Sequence, residues 1–81
     1  MKPNTILIVD DEGNILKTLE RLLEDEGYRM SFADSGLKGL EIIKHEDIHL
    51  VISDHRMPGM DGIKFINEVK KISPDTIRIM L

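Results

Sequence analysis

At 81 residues, with 15 acidic against 11 basic side chains, the chain carries a net charge of -4 at pH 7 and has room for one small core. That balance disfavours general attraction to nucleic acid phosphates or anionic lipid, so any direct DNA contact is expected of another domain. With 41% hydrophobic residues, 32% charged ones and no cysteine, it also excludes a disordered chain, a disulfide framework and thiolate metal ligation, and fits a reducing cytoplasm.

The start, Met1 to Val9, holds one lysine and the apolar run Ile6-Leu7-Ile8-Val9, followed at once by Asp10, Asp11 and Glu12. This is neither a signal peptide nor a membrane span. A short unbroken run rich in β-branched residues is the pattern of a strand buried on both faces. Ile15, Leu16, Leu19, Leu22 and Leu23 then recur at three- and four-residue spacing, which predicts an amphipathic first helix ended by Gly27. Tyr28, Met30 and Phe32 alternate with Arg29 and Ser31, as in a half-buried strand at a sheet edge. Asp34 or Ser35 can cap a second helix carrying Leu37, Leu40, Ile42 and Ile43, although Gly36 and Gly39 weaken it.

Leu50-Val51-Ile52 is the second unbroken apolar run, and it delivers Ser53 and Asp54 at its carboxyl end. Met57-Pro58-Gly59-Met60 follows as a turn in which Pro58 fixes φ, Gly59 tolerates φ > 0, and the two methionines pack. Asp61 is a suitable N-cap for a third helix with Ile63, Phe65, Ile66, Val69 and Ile72 inward, stopped by Ser73-Pro74. Ile77 to Leu81 reads as a fourth strand. Strands alternating with helices predict an α/β domain with a parallel sheet.

Ligands of open α/β sheets sit beyond the carboxyl ends of the strands, where the strand order reverses. Asp10, Asp11 and Asp54 would meet there if the first and third strands are neighbours. Three like charges so close repel one another, and a divalent cation relieves the conflict. All-oxygen ligands select a hard ion, and few protein ligands with several waters suit Mg²⁺ better than Ca²⁺. A carboxylate can itself be the nucleophile in phosphoryl transfer. Asp54, on the tip of a central strand, is the better candidate for that role, whereas Asp10 and Asp11 open a loop and are better placed to hold metal and waters. The alternative for Asp11 and Glu12 is simple capping of the helix that follows.

The stretches Ile6-Leu7-Ile8-Val9-Asp10-Asp11-Glu12 and Leu50-Val51-Ile52-Ser53-Asp54-His55-Arg56-Met57-Pro58-Gly59-Met60-Asp61-Gly62 resemble, in order and separation, the two signature stretches of response-regulator receiver domains. The resemblance covers essentially the whole chain. It implies a flavodoxin-like doubly wound parallel sheet, incomplete here as βαβαβαβ with strand order 2-1-3-4, and one partial receiver domain over residues 1–81. It implies a cytoplasmic phosphoacceptor rather than a conventional enzyme, in which Asp54 takes a phosphoryl group from a sensor histidine kinase. It further implies that Asp11 and Asp54 ligate Mg²⁺ directly, that Asp10 acts partly through water, and that the backbone carbonyl of Arg56 completes the protein ligands. The family's Ser or Thr after the fourth strand and its Lys after a fifth have no counterpart: Thr76 begins the fourth strand, and Lys64, Lys70 and Lys71 lie on the third helix. The fourth strand is therefore expected to be an exposed edge beside a bare sheet face, which favours a homodimer or a domain-swapped oligomer, or else a piece of a longer protein.

Three rivals stand beside this reading. His45-Glu46-Asp47-Ile48-His49 matches the H-E-x-x-H pattern of zinc metalloproteases, which needs both histidines on one continuous helix. A Mg²⁺-dependent phosphatase with an aspartyl intermediate would want D-x-D after the first strand, where Asp10 is followed by Asp11, Glu12 and Gly13. The strongest alternative is an interaction or dimerisation module that is not phosphorylated.

Overall fold

The two unbroken apolar runs form the centre of the sheet. In the computed structural model, which describes residues 4–54, 56, 57 and 59–81, they are β1 (Thr5–Val9) and β3 (Leu50–Ser53), and they pair in parallel. The expectations for Met1 to Pro3, His55 and Pro58 lie outside the described residues. β2 (Arg29–Ala33) flanks β1 and β4 (Ile77–Met80) flanks β3, so the order is β2-β1-β3-β4 with every pairing parallel. The chain order is βαβαβαβ, with α1 (Gly13–Leu23), α2 (Gly36–His45) and α3 (Gly62–Ile72) in the connections. Both the flavodoxin-like architecture and the 2-1-3-4 order agree with the sequence reading.

Local chemistry sets the helix ends. Ser35 accepts a hydrogen bond from the backbone N–H of Lys38 at 3.2 Å, and Asp61 accepts one from that of Lys64 at 2.8 Å. Each satisfies an orphan donor of its helix and is worth about 1 kcal/mol. The first helix tightens into a 3₁₀ turn at Glu24–Glu26 and stops at Gly27, whose φ of 79° lies in the left-handed region.

The parallel register assigns the side chains to faces. Leu7, Val9 and Val51 point to one face and pack with Leu40 and Ile43 of α2 and Phe65 and Val69 of α3, most of them fully excluded from water. Here the two glycines that weaken α2 as a helix have a use. A Cβ on Gly39 would stand 2.8 Å from Phe65 Cε1 and 3.1 Å from Val9 Cγ2, so its absence lets α2 approach both the sheet and α3. Gly36 likewise leaves room for the side chain of Met60.

The opposite face carries Ile6, Ile8, Leu50, Ile52, Ile77 and Ile79 and is covered less completely. Ile6 and Ile8 are buried, but exposure grows toward the edge and reaches 65% at Ile77. A groove of about 780 Å³ runs there, lined by Ile6, Leu23, Leu50, Ile52, Ile72 and Ile77 among others. No residue of α1 is buried. Leu16, Leu19 and Leu23 are half-covered, while Ile15 and Leu22, expected inward, form an exposed shoulder because one helix cannot cover so wide an apolar stripe.

Two inward assignments on the third helix, Ile63 and Ile72, are also corrected, and Leu37 of the second helix is exposed as well. Leu37 and Ile63 are 71% and 59% exposed, because α2 and α3 turn the stripes Gly36-Leu40-Ile43 and Phe65-Ile66-Val69 to the core and leave these two on the far side. Ile72, in the last turn of α3, borders the groove and is 39% exposed.

Candidate functional site

Pairing of β1 with β3 ends at Val9↔Ser53, and the next residue on each strand is an aspartate. Asp54 N–H donates to Val9 O at 3.0 Å and Asp10 N–H donates to Ala33 O at 3.1 Å, so the ladder holds both aspartates one step beyond the sheet. Leu81 N–H donates to Ser53 O at 2.9 Å on the other side of β3. Asp10 and Asp54 thus stand directly on the ends of the paired central strands.

Asp10, Asp11 and Asp54 each bring a carboxylate oxygen within 4.8 Å of the other two. Asp10 is buried, Asp54 half-buried and Asp11 exposed, so the cluster opens outward from the sheet. One Asp10 oxygen accepts from Glu12 N–H at 2.9 Å. That bond orients Asp10 and engages one of its oxygens. Asp11 does not cap α1: the N-cap is Glu12, whose side chain makes no cap hydrogen bond. The donors are all carboxylate oxygens with no sulfur or imidazole among them, a set that suits Mg²⁺. Arg56, expected to contribute its backbone carbonyl, is exposed two residues beyond Asp54. In the same loop Gly59 has a φ of 84°, Met57 is buried in the core and Met60 packs against it.

A side chain that the sequence does not flag also belongs to this neighbourhood. Ser53 is fully buried, and its hydroxyl donates to the backbone oxygen of Asp54 at 2.9 Å. A serine closing an apolar strand carries no pattern that would single it out.

The structure removes the zinc reading. The second helix ends at His45, and Glu46 is already extended at φ -124°, ψ 151°. His49 lies in the link to β3, where its Nδ1 accepts from Thr5 N–H at 3.0 Å and its backbone bonds to Thr5 and Ile77. The two histidines therefore share no helix. Thr76 is also structural: it is buried, and its hydroxyl donates to Ile48 O at 2.7 Å.

The response regulator receiver domain model matches residues 6–81. The chain belongs to the response regulator receiver domain family. Its similarity extends to curated proteins and to solved receivers. The receiver is 42% identical over 80 residues to the transcriptional regulatory protein GlrR of Escherichia coli, covering 99% of this chain but 18% of that protein. It is 38% identical over 81 residues to sporulation initiation phosphotransferase F of Bacillus subtilis, spanning 64% of that protein. A CheY-like receiver domain protein from Methanospirillum hungatei superposes with a TM-score of 0.95 at 34% identity, over 98% of this chain and 63% of the other. The signal receiver domain of an HD domain-containing protein from Pseudomonas fluorescens gives 0.95 at 32% identity with the same coverages. Receivers are the phosphoacceptor components of two-component systems, regulatory rather than conventional enzymes, and they generally bind Mg²⁺ at an acidic cluster. Among the described residues, no helix of this receiver is long and apolar enough to cross a membrane.

Proposed function

We propose that this receiver works in the cytoplasm and accepts a phosphoryl group on Asp54 from a sensor histidine kinase, in a site where Asp10, Asp11, Asp54 and the backbone carbonyl of Arg56 hold Mg²⁺. The observation that carries the proposal is the convergence of three carboxylates within 4.8 Å at the ends of two paired central strands. Bound there, Mg²⁺ offsets the carboxylate charge and leaves positions for phosphoryl oxygens. A carboxylate oxygen of Asp54 attacks the phosphorus of the kinase's phosphohistidine in line with the P–N bond. The new P–O bond makes an acyl phosphate, the P–N bond breaks, and the imidazole leaves with the electron pair and takes up a proton. Asp10, fixed by the Glu12 amide, and the more exposed Asp11 keep the acceptor's surroundings in place without competing as nucleophiles.

Acetyl phosphate, a small phosphoryl donor, tests the proposal without the kinase. With Mg²⁺ one phosphoryl group should appear, mapped by peptide mass to Asp54. An excess of chelator should reduce the yield to background. Labelling that persists without divalent metal, or that maps elsewhere, would overturn the assignment.

A second reading, association through β4, rests on a separate observation. Ile77, Ile79 and Met80 of the parallel edge strand β4 and Leu81 just after it are all more than 40% exposed, next to an apolar groove. Such an edge pairs readily with another strand. The 81-residue chain should therefore form a homodimer or an exchanged-strand oligomer, and light scattering after size exclusion should give at least twice the 9.3 kDa of one chain. A sharp 9.3 kDa peak at micromolar concentration would remove this reading.

A further inference from the structure

Ser53 holds a distinctive place in the described part of the fold: its hydroxyl is fully buried, yet it binds the backbone of the residue that carries the candidate acceptor. Position 53 is the last paired residue of β3, at Val9↔Ser53, and Asp54 follows outside the strand. Asp54 is nevertheless held at both of its peptide groups. Its N–H donates to Val9 O at 3.0 Å, and its C=O accepts from Ser53 Oγ at 2.9 Å. The first bond constrains φ and the second ψ, so together they set the direction in which Cα–Cβ projects the carboxylate toward Asp10 and Asp11. Ser53 itself is 0% exposed, so its hydroxyl reaches the Asp54 backbone from inside the fold.

We infer that Ser53 is a positioning residue for the phosphoacceptor, holding the Asp54 backbone so that its carboxylate meets the other two at metal-binding distance. This inference rests on the reading of the acidic cluster as a cation site. It assigns Ser53 no contact with the metal or the phosphoryl group. A hydroxyl at this place provides a short, directional donor that an aliphatic side chain of the same strand cannot.

Two variants separate hydrogen bonding from packing. Ser53→Ala removes the donor and leaves a small void, whereas Ser53→Cys refills the space with a much weaker donor. Mn²⁺ is the probe, its free concentration read by electron paramagnetic resonance, with the Asp54 carbonyl ¹³C shift of the metal-free protein as a second readout. Both variants should bind Mn²⁺ about fivefold more weakly, the size expected for one neutral hydrogen bond. Both should move the Asp54 carbonyl resonance, and at saturating metal the rate of acetyl phosphate labelling should recover. Unchanged Mn²⁺ affinity in Ser53→Ala, or wild-type behaviour in Ser53→Cys, would overturn the positioning role while leaving the cation site intact. A wild type that binds no Mn²⁺ would overturn both, and Asp54→Asn measured in parallel identifies that case.

Discussion

Asp54→Asn is expected to abolish labelling by acetyl phosphate or by a phosphorylated kinase, lowering the rate on the order of a thousandfold or more, about 4 kcal/mol of barrier. The substitution keeps the volume and the planar shape of the side chain but replaces the nucleophilic oxygen by an amide. The ladder bond from Asp54 N–H to Val9 O involves only backbone and should survive. A stability effect of opposite sign accompanies the loss. Three carboxylates within 4.8 Å repel one another without a cation, and removing one charge should stabilise the metal-free protein by on the order of 1 kcal/mol. Mg²⁺ should then raise the melting temperature of the wild type and leave the variant nearly unchanged. Equal labelling of both proteins would show that another residue is the acceptor.

Phe65→Ala should be the most damaging core substitution. Phe65 is 0% exposed, is the largest fully buried side chain, and meets Gly39 of α2 and the β1–β3 core together. Large-to-small changes of this kind cost about 3–5 kcal/mol. A chain of this length has only about 4–12 kcal/mol of total stability. The variant should therefore lose a large share of its stability and show a much lower urea midpoint by circular dichroism. A loss under about 1 kcal/mol would mean that the α2/α3 face is not the principal core.

Much of this molecule was legible in the residues, for reasons that differ from element to element. The central strands were readable because burial on both faces leaves an unbroken apolar run, as in Ile6 to Val9 and Leu50 to Ile52. The acidic cluster followed, since residues that end neighbouring parallel strands must emerge together. The caps, Asp34 or Ser35 for the second helix and Asp61 for the third, and the stop at Gly27 depend on local chemistry alone, and the structure takes Ser35, Asp61 and Gly27. Side-chain burial was less legible. Periodicity marked Ile15, Leu22, Leu37 and Ile63 as apolar positions on helices, but which of them are covered depends on neighbouring elements that a pattern does not describe. Gly39 looked like a defect because helix propensity says nothing about the Phe65 ring that needs its missing Cβ. Ser53 gave no signal at all, since its role is a single hydrogen bond to the next residue.

The Val9↔Ser53 register also bears on when the acidic site can exist during folding. Its contributors lie roughly forty residues apart, so no contiguous peptide carries the site, and the chain must lose the entropy of closing that long loop before the carboxylates meet. Parallel pairing at such separation is slow to form. A cation that recognises the assembled cluster therefore binds the native ensemble and not the unfolded one, and its concentration becomes a thermodynamic handle on how much of the chain is folded.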